Sequence, residues 1–260
     1  MLRWLINMLL TSLIFFPEKT FYETPEQYGF AWEDVYVQTP DGVKLHGWYL
    51  DAARKKGTVL FFHGNAGNIS GRLFKAKGWV DRGFSVFLID YRGYGKSEGK
   101  IEHGKDVFED AKAAFKWVTD IKKVPLTKLI LYGESIGTNP AIRLAVEHQV
   151  GAVILEAPFT TFYELAHTHY PFVPKMLLKD FEFSNIDRIQ DVKAPLFILH
   201  GTRDEICPYR MGEALFQKAP EPKAFFTIPE GDHNDLPNIA GPDFWEKPYQ
   251  FIKQRIADSV

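Results

Sequence analysis

The chain has 260 residues, 45% of them hydrophobic and 15% aromatic, enough apolar side chain for the core of one large α/β domain or two small ones and too much for a disordered chain. A net charge of −2, without a basic run or zinc-like cysteine spacing, removes any electrostatic case for nucleic acid. Cys207 is the single cysteine, so no intrachain disulfide forms, and it reads as a small apolar residue rather than a catalytic thiol because no base is arranged around it.

The first element in chain order is an apolar run over residues 4–16, preceded by Arg3 and stopped by Pro17. As a helix it reaches about 20 Å, short of the roughly 30 Å hydrocarbon core of a bilayer. No small-x-small cleavage site comes after it, which speaks against a signal peptide. Residues 1–29 are therefore expected to form a separate apolar helix serving as anchor, lid or partner contact, with peripheral membrane contact or homodimerisation through residues 1–16. Arg3 on one side of the run and Glu18-Lys19 on the other set no orientation, so membrane-associated and cytoplasmic locations both stay open.

Apolar and polar residues then alternate through Val35-Tyr36-Val37-Gln38, turn at Pro40-Asp41-Gly42 and alternate again over residues 43–50, the pattern of an antiparallel hairpin. His46 on its second arm reads as structural. Apolar runs over 58–62, 85–89, 129–132, 152–156, 195–200 and 224–228 are strands buried on both faces. Helical spacing fills 74–80, 106–121 and 136–147 between them. Strands alternating with helices predict an α/β fold over residues 30–260, with a mostly parallel eight-stranded sheet and helices on both faces. The aromatic-rich stretch 159–194 is a small cap-like insertion, read either as the lining of an acyl pocket or as a peripheral helix burying its apolar face. Gly95-Lys96-Ser97 invites a phosphate loop, but no glycine stands five positions before Gly95.

The strand at 129–132 runs into Gly133-Glu134-Ser135-Ile136-Gly137. A serine at a tight strand-to-helix turn needs small neighbours, because the chain passes close on both sides. Alone, this G-x-S-x-G spacing would arise by chance in roughly one chain of this length in ten. What raises it above chance is the rest of an acyl-transfer site at the ends of other strands, where ligands of such sheets gather. Past the strand at 195–200, Asp204 sits three residues beyond His200-Gly201. Past the strand at 224–228 comes His233. The chain order Ser135, Asp204, His233 is a nucleophile, an orienting acid and a base in a workable sequence. Glu205, Asp232 and Asp235 are rivals for the acid. His63 and His200, each before a glycine, read as hydrogen-bonding scaffold, while His103 and His148 read as capping or solvated residues. His167-Thr168-His169 is a weak metal pair without a third ligand, so no metal and no cofactor is expected. The backbone N–H of Ile136 and that of Asn65, with Ala66 as rival, are the expected oxyanion donors.

Through H-G-N-A-G-N, D-Y-R-G-Y-G-K-S, G-E-S-I-G, H-G-T-R-D and G-D-H-N, residues 30–257 resemble the α/β-hydrolase superfamily, in particular a branch of membrane-associated serine hydrolases that includes esterases and depalmitoylating thioesterases. The resemblance implies a cofactor-free serine hydrolase that cleaves small-molecule esters of short to medium acyl chains through an acyl-serine, with Ser135 attacking, His233 relaying the proton and Asp204 orienting His233. Ala66, Phe159, Phe162, Tyr163 and Tyr170 are the expected pocket residues. Thioester or peptide cleavage on the same triad, and a non-catalytic binding protein that keeps the pocket, are the alternatives. Two departures stand out: the apolar run is shorter than a full anchor, and Asp232 precedes His233 where many hydrolases place glycine.

Overall fold

The computed structural model describes Thr11, residues 14–181 and residues 183–256, with side chains as far as Lys253. Eight strands make one sheet: β1 (Ala31–Gln38), β2 (Lys44–Asp51), β3 (Gly57–Phe62), β4 (Phe84–Ile89), β5 (Leu129–Glu134), β6 (Ala152–Glu156), β7 (Leu196–Gly201) and β8 (Lys223–Ile228). Their order is β8-β7-β6-β5-β3-β4-β2-β1. Only β2 runs antiparallel to both its neighbours, through the expected hairpin to β1 and along β4, and the remaining pairs are parallel.

Side-chain alternation explains why helices cover both faces. Leu60, Phe62, Phe87, Ile89, Leu131, Val153 and Ile198 point into one core, and Val59, Phe61, Val86, Leu88, Ile130, Ile154 and Leu199 into the other. A strand apolar at every position cannot leave either face to water. Helix α1 (Leu73–Asp81) buries Leu73, Ala76 and Trp79 on the second face, which α6 (Asp243–Ile256) also covers with Phe244, Phe251 and Ile252. Helices α2 (Gly104–Lys116), α3 (Thr138–Glu147) and α5 (Tyr209–Lys218) close the first. The helix expected over 106–121 begins earlier, at Gly104, and ends in a π turn at Trp117–Ile121. Its start is fixed by the Asp106 carboxylate, which accepts the N–H groups of Glu102 and His103, both at 2.8 Å. His148 is not helical: it is the extended residue just past α3, stacked on Phe115.

The N-terminal unit drawn as a helix over 1–29 needs correction. Residues 1–10, 12 and 13 of that expectation lie outside the described residues. Thr11 and Ile14 are helical, but Phe16–Pro17 forms a parallel bridge with Ala66–Gly67, and Pro25–Tyr28 is a 3-10 turn. Pro17 has no N–H to continue a helix, so the chain extends and pairs with a neighbouring loop instead. In the insertion at 159–194, α4 (Phe162–His169) is followed by 3-10 turns at Lys175–Phe181 and Ile189–Asp191.

Connections set the position of any site. From β3 the chain passes to β4 on one side, and β5 returns to the other side of β3, so the strand order reverses there and the carboxyl ends of β3 and β5 border the crevice in which such sheets bind ligands. The glycines either side of Ser135, Gly133 within β5 and Gly137 in the turn after it, are needed for close packing. A Cβ on Gly133 would lie 2.5 Å from the Gly137 carbonyl oxygen, and one on Gly137 would overlap the carbonyls of Phe62 and His63. Gly137→Ala is expected to destabilise the fold by about 3 kcal/mol or more, because two backbones cannot part without breaking the sheet, as measured by urea unfolding.

Candidate active site

Ser135 sits directly after β5 with φ +52°, a left-handed backbone that a serine adopts only under constraint. A 3-10 turn over Ser135–Gly137 leads into α3, and Thr138 Oγ1 donates to the Ser135 carbonyl at 2.6 Å. The turn therefore holds Ser135 and Ile136 at the head of a helix, where the peptide dipoles favour negative charge.

Because β7 and β8 are paired and parallel, the loops after them lie side by side. His233 Nδ1 donates to Asp204 Oδ2 at 2.8 Å. His200 Nε2 stands 3.2 Å from the same oxygen and 2.8 Å from the Cys207 carbonyl. The N–H groups of Ile206 and Cys207 donate to Asp204 Oδ1 at 2.9 and 2.7 Å. Two of the three acid rivals are engaged elsewhere: Asp232 accepts the N–H of Glu205, and Asp235 accepts that of Asp232. The Ser135 hydroxyl lies 4.0 Å from Cys207 Sγ, and no hydrogen bond joins it to His233. Cys207 is fully buried, and burial pushes its thiol up, against reactivity.

The loop after β3 faces Ser135 across the switch point. His63 is buried, and its Nδ1 donates to the Gly64 carbonyl at 2.7 Å. A trans peptide directs its N–H opposite to its C=O, so this bond fixes the direction of the Asn65 N–H. Burial pushes the His63 imidazole down to about 4, which keeps it neutral as scaffold. Tyr94 Oη donates to the Asn65 carbonyl at 2.7 Å, and Arg72 to that of Ala66 at 2.8 Å.

Arg72 also pairs with Glu134, the residue before Ser135, at 2.9 Å. Lys75 bridges Glu134 at 3.0 Å and Glu156 at 2.7 Å, and Tyr132 Oη donates to Glu156 at 2.7 Å. Burial alone would raise the Glu134 carboxyl, but Arg72 and Lys75 hold it well below the usual carboxylate range. Sequence reading missed this cluster, since nothing in spacing joins α1 to the ends of β5 and β6. The charged residue inside G-E-S-I-G, in an otherwise apolar strand end, was the one signal for it.

The expected pocket residues lie in several different environments. Phe159 is buried in the core, and Phe162 packs on Phe181 and Phe183. Tyr163 lines a cavity of about 600 Å³ together with Lys175, Lys179, Phe181 and Arg188. Tyr170 and Ala66 are exposed. His169 Nε2 bonds the Ile206 carbonyl, and among the described residues no three His, Cys, Asp or Glu side chains gather to hold a metal.

Comparison with known proteins shows the family of the chain. The family model described as "Serine aminopeptidase, S33" matches residues 53–182, half of the chain, and the chain belongs to the α/β-hydrolase superfamily, a class of hydrolases. An uncharacterized protein of Mycobacterium tuberculosis is 36% identical over 226 residues, which cover 86% of this chain and 80% of that protein. The α/β hydrolase domain-containing protein WAV2 of Arabidopsis thaliana is 30% identical over 257 residues, covering 91% of this chain and 83% of its own. Among solved structures, the esterase Pf2001 of Pyrococcus furiosus matches with a TM-score of 0.78 at 21% identity, covering 93% of this chain and 99% of that one. An esterase from Exiguobacterium antarcticum matches at 0.67 and 17% identity, covering 85% and 100%. At these identities the two structural likenesses bear on the fold.

Burial alone would raise the Asp204 carboxyl, but hydrogen bonds and charge from His200 and His233 hold it at about 2. The folded value lies below the unfolded one, about 3.9, so Asp204 contributes stability in full above about pH 4 and loses it as pH falls towards 2. Urea unfolding monitored from about pH 6 to about pH 2 is expected to show this step in the wild-type chain and not in Asp204→Asn.

Proposed function

We propose that the chain is a serine hydrolase that cleaves carboxylic esters of short to medium acyl chains through an acyl-serine intermediate. The observation that carries this reading is the left-handed Ser135 at the switch point, beside a His233–Asp204 pair joined at 2.8 Å on the neighbouring strand ends. With Nδ1 of His233 engaged by Asp204, Nε2 is the nitrogen left to take the Ser135 proton as Oγ attacks the ester carbonyl. Asp204 fixes the ring and stabilises the imidazolium. The N–H groups of Ile136 and Asn65, or Ala66 as the rival of Asn65, receive the developing oxyanion. The C–O bond then breaks, His233 returns the proton to the departing alcohol, and a water deprotonated by the same nitrogen releases the acid and restores Ser135. The same acyl-enzyme serves thioesters and amides. The family description favours testing amides, and the esterase activity named for the solved neighbours favours esters.

A fluorophosphonate probe is expected to label the wild-type chain and not Ser135→Ala, and His233→Ala is expected to lower p-nitrophenyl ester turnover by about 10⁴-fold. Equal labelling of wild type and Ser135→Ala would sink the reading. Esters, thioesters and aminoacyl amides of graded chain length then rank the leaving group and acyl length.

The reading includes peripheral contact with a membrane surface. Among the described residues no helix is long and apolar enough to cross a membrane. Support comes from Tyr170, Phe172 and Met176 on the insertion, which are 68%, 95% and 81% exposed and interleaved with Lys175 and Lys179, an apolar tip with cationic flanks suited to an anionic interface. In vesicle flotation, Phe172→Glu with Met176→Glu is expected to reduce binding to phosphatidylglycerol vesicles by about 5-fold or more. Undiminished flotation would remove the insertion from the contact.

A further inference from the structure

We infer that residues 14–20 are a positioning element of the acyl-transfer site, a strap that holds the loop after β3 where its N–H groups meet the oxyanion. This deepens the serine-hydrolase reading and rests on it.

Each residue of the loop from Asn65 to Asn68 touches the strap. The Asn65 side-chain amide donates to the Ile14 carbonyl. Phe16 pairs with Ala66 and Pro17 with Gly67 in parallel register, and Glu18 N–H donates to the Gly67 carbonyl at 3.1 Å. Asn68 Nδ2 donates to the carbonyls of Glu18 and Thr20 at 3.0 and 2.7 Å. The strap is itself fastened to the body at both ends. Phe15 is buried against Phe181, the Glu18 carbonyl accepts Gly95 N–H at 2.9 Å, and Phe21 packs edge-on against Trp48.

The loop needs such support for a physical reason. Gly64, Ala66 and Gly67 carry almost no side chain, so packing cannot fix their backbone, and glycine loses more freedom on ordering than any other residue. An oxyanion donor, however, is effective only when held within about 0.5 Å of its position before the charge forms. Tyr94 and Arg72 hold the loop's carbonyls from the protein side. The strap holds the outer side, which no other described element covers with backbone hydrogen bonds.

The test is Asn68→Asp in the full chain. Asn68 Oδ1 accepts from Ser70 N at 3.0 Å and Ser70 Oγ at 2.6 Å, and aspartate keeps those acceptor bonds while losing the donor to the strap. Asn65→Asp, which removes the bond to Ile14 at a less buried position, is the second variant. For each, kcat and KM on a p-nitrophenyl ester are measured beside the inhibition constants of a trifluoromethyl ketone, which adds serine to form an oxyanion, and of an ether isostere, which cannot. We expect kcat to fall about 10- to 100-fold with KM within about 3-fold, the ketone constant to rise by the same factor as kcat falls, and the ether constant to stay put. Values within about 2-fold of wild type in both variants overturn the inference. So does a fall in kcat without a matching rise in the ketone constant, or loss of the folded circular-dichroism spectrum in both. Ser135→Ala assayed alongside separates the two claims: turnover surviving in that variant defeats the serine reading itself, whatever the strap variants do.

Discussion

The molecule depends on one backbone contact, the approach of the turn after β5 to the end of β3. A Cβ on Gly137 would overlap the Phe62 carbonyl, and one on Gly133 would strike the start of α3. Two main chains can come this close only where side chains are absent. The same contact forces Ser135 into its left-handed conformation and brings the His63–Asn68 loop to the serine's side. Elbow and loop are thus two consequences of one steric constraint, placed where the strand order reverses.

Around that contact stand two charge centres with different tasks. Asp204 is surrounded by the imidazoles of His200 and His233 and by two backbone N–H groups, an arrangement that keeps a buried carboxylate ionised and fixes the ring hydrogen-bonded to it. On the other side, Arg72, Lys75, Glu134 and Glu156 join α1 to the ends of β5 and β6. Burying four charges costs desolvation that their attraction only partly offsets, so such a cluster is weak evidence for stability and better evidence for a fixed geometry. Here Arg72 connects the residue before Ser135 to the carbonyl of Ala66, tying the elbow to the loop opposite.

The chain's first segment illustrates how tertiary contact overrides local composition. Apolar residues before Pro17 predict a helix that ends there, and Thr11 and Ile14 are helical. Residues 16–20 carry little local signal, because they obtain their conformation from hydrogen-bond partners about fifty positions away, at Ala66, Gly67 and Asn68. The insertion at 159–194 shows the converse. Its aromatic content marked it as apolar, yet whether those rings face a pocket, the core or solvent was open in sequence, and they are divided among all three: Phe159 in the core, Tyr163 at a cavity, Tyr170 in solvent.

Sequence alone determined the features that periodicity and steric chemistry dictate. Runs apolar at every position require a sheet covered on both faces, Pro40-Asp41-Gly42 makes the hairpin, and glycines two positions either side of a serine mark a turn with backbone close on both sides. Chain order and strand ends were also the grounds for preferring Asp204 over Glu205, Asp232 and Asp235 as the partner of His233, whose Nδ1 stands 2.8 Å from Asp204 Oδ2. Tertiary structure decided whatever depends on distance between segments remote in sequence: the second imidazole on Asp204, the ion cluster behind Ser135, and the N-terminal strap on the loop across from it. Local patterns record the conformation each residue prefers, whereas these contacts depend on which strand lies beside which, and that is set only when the whole sheet assembles.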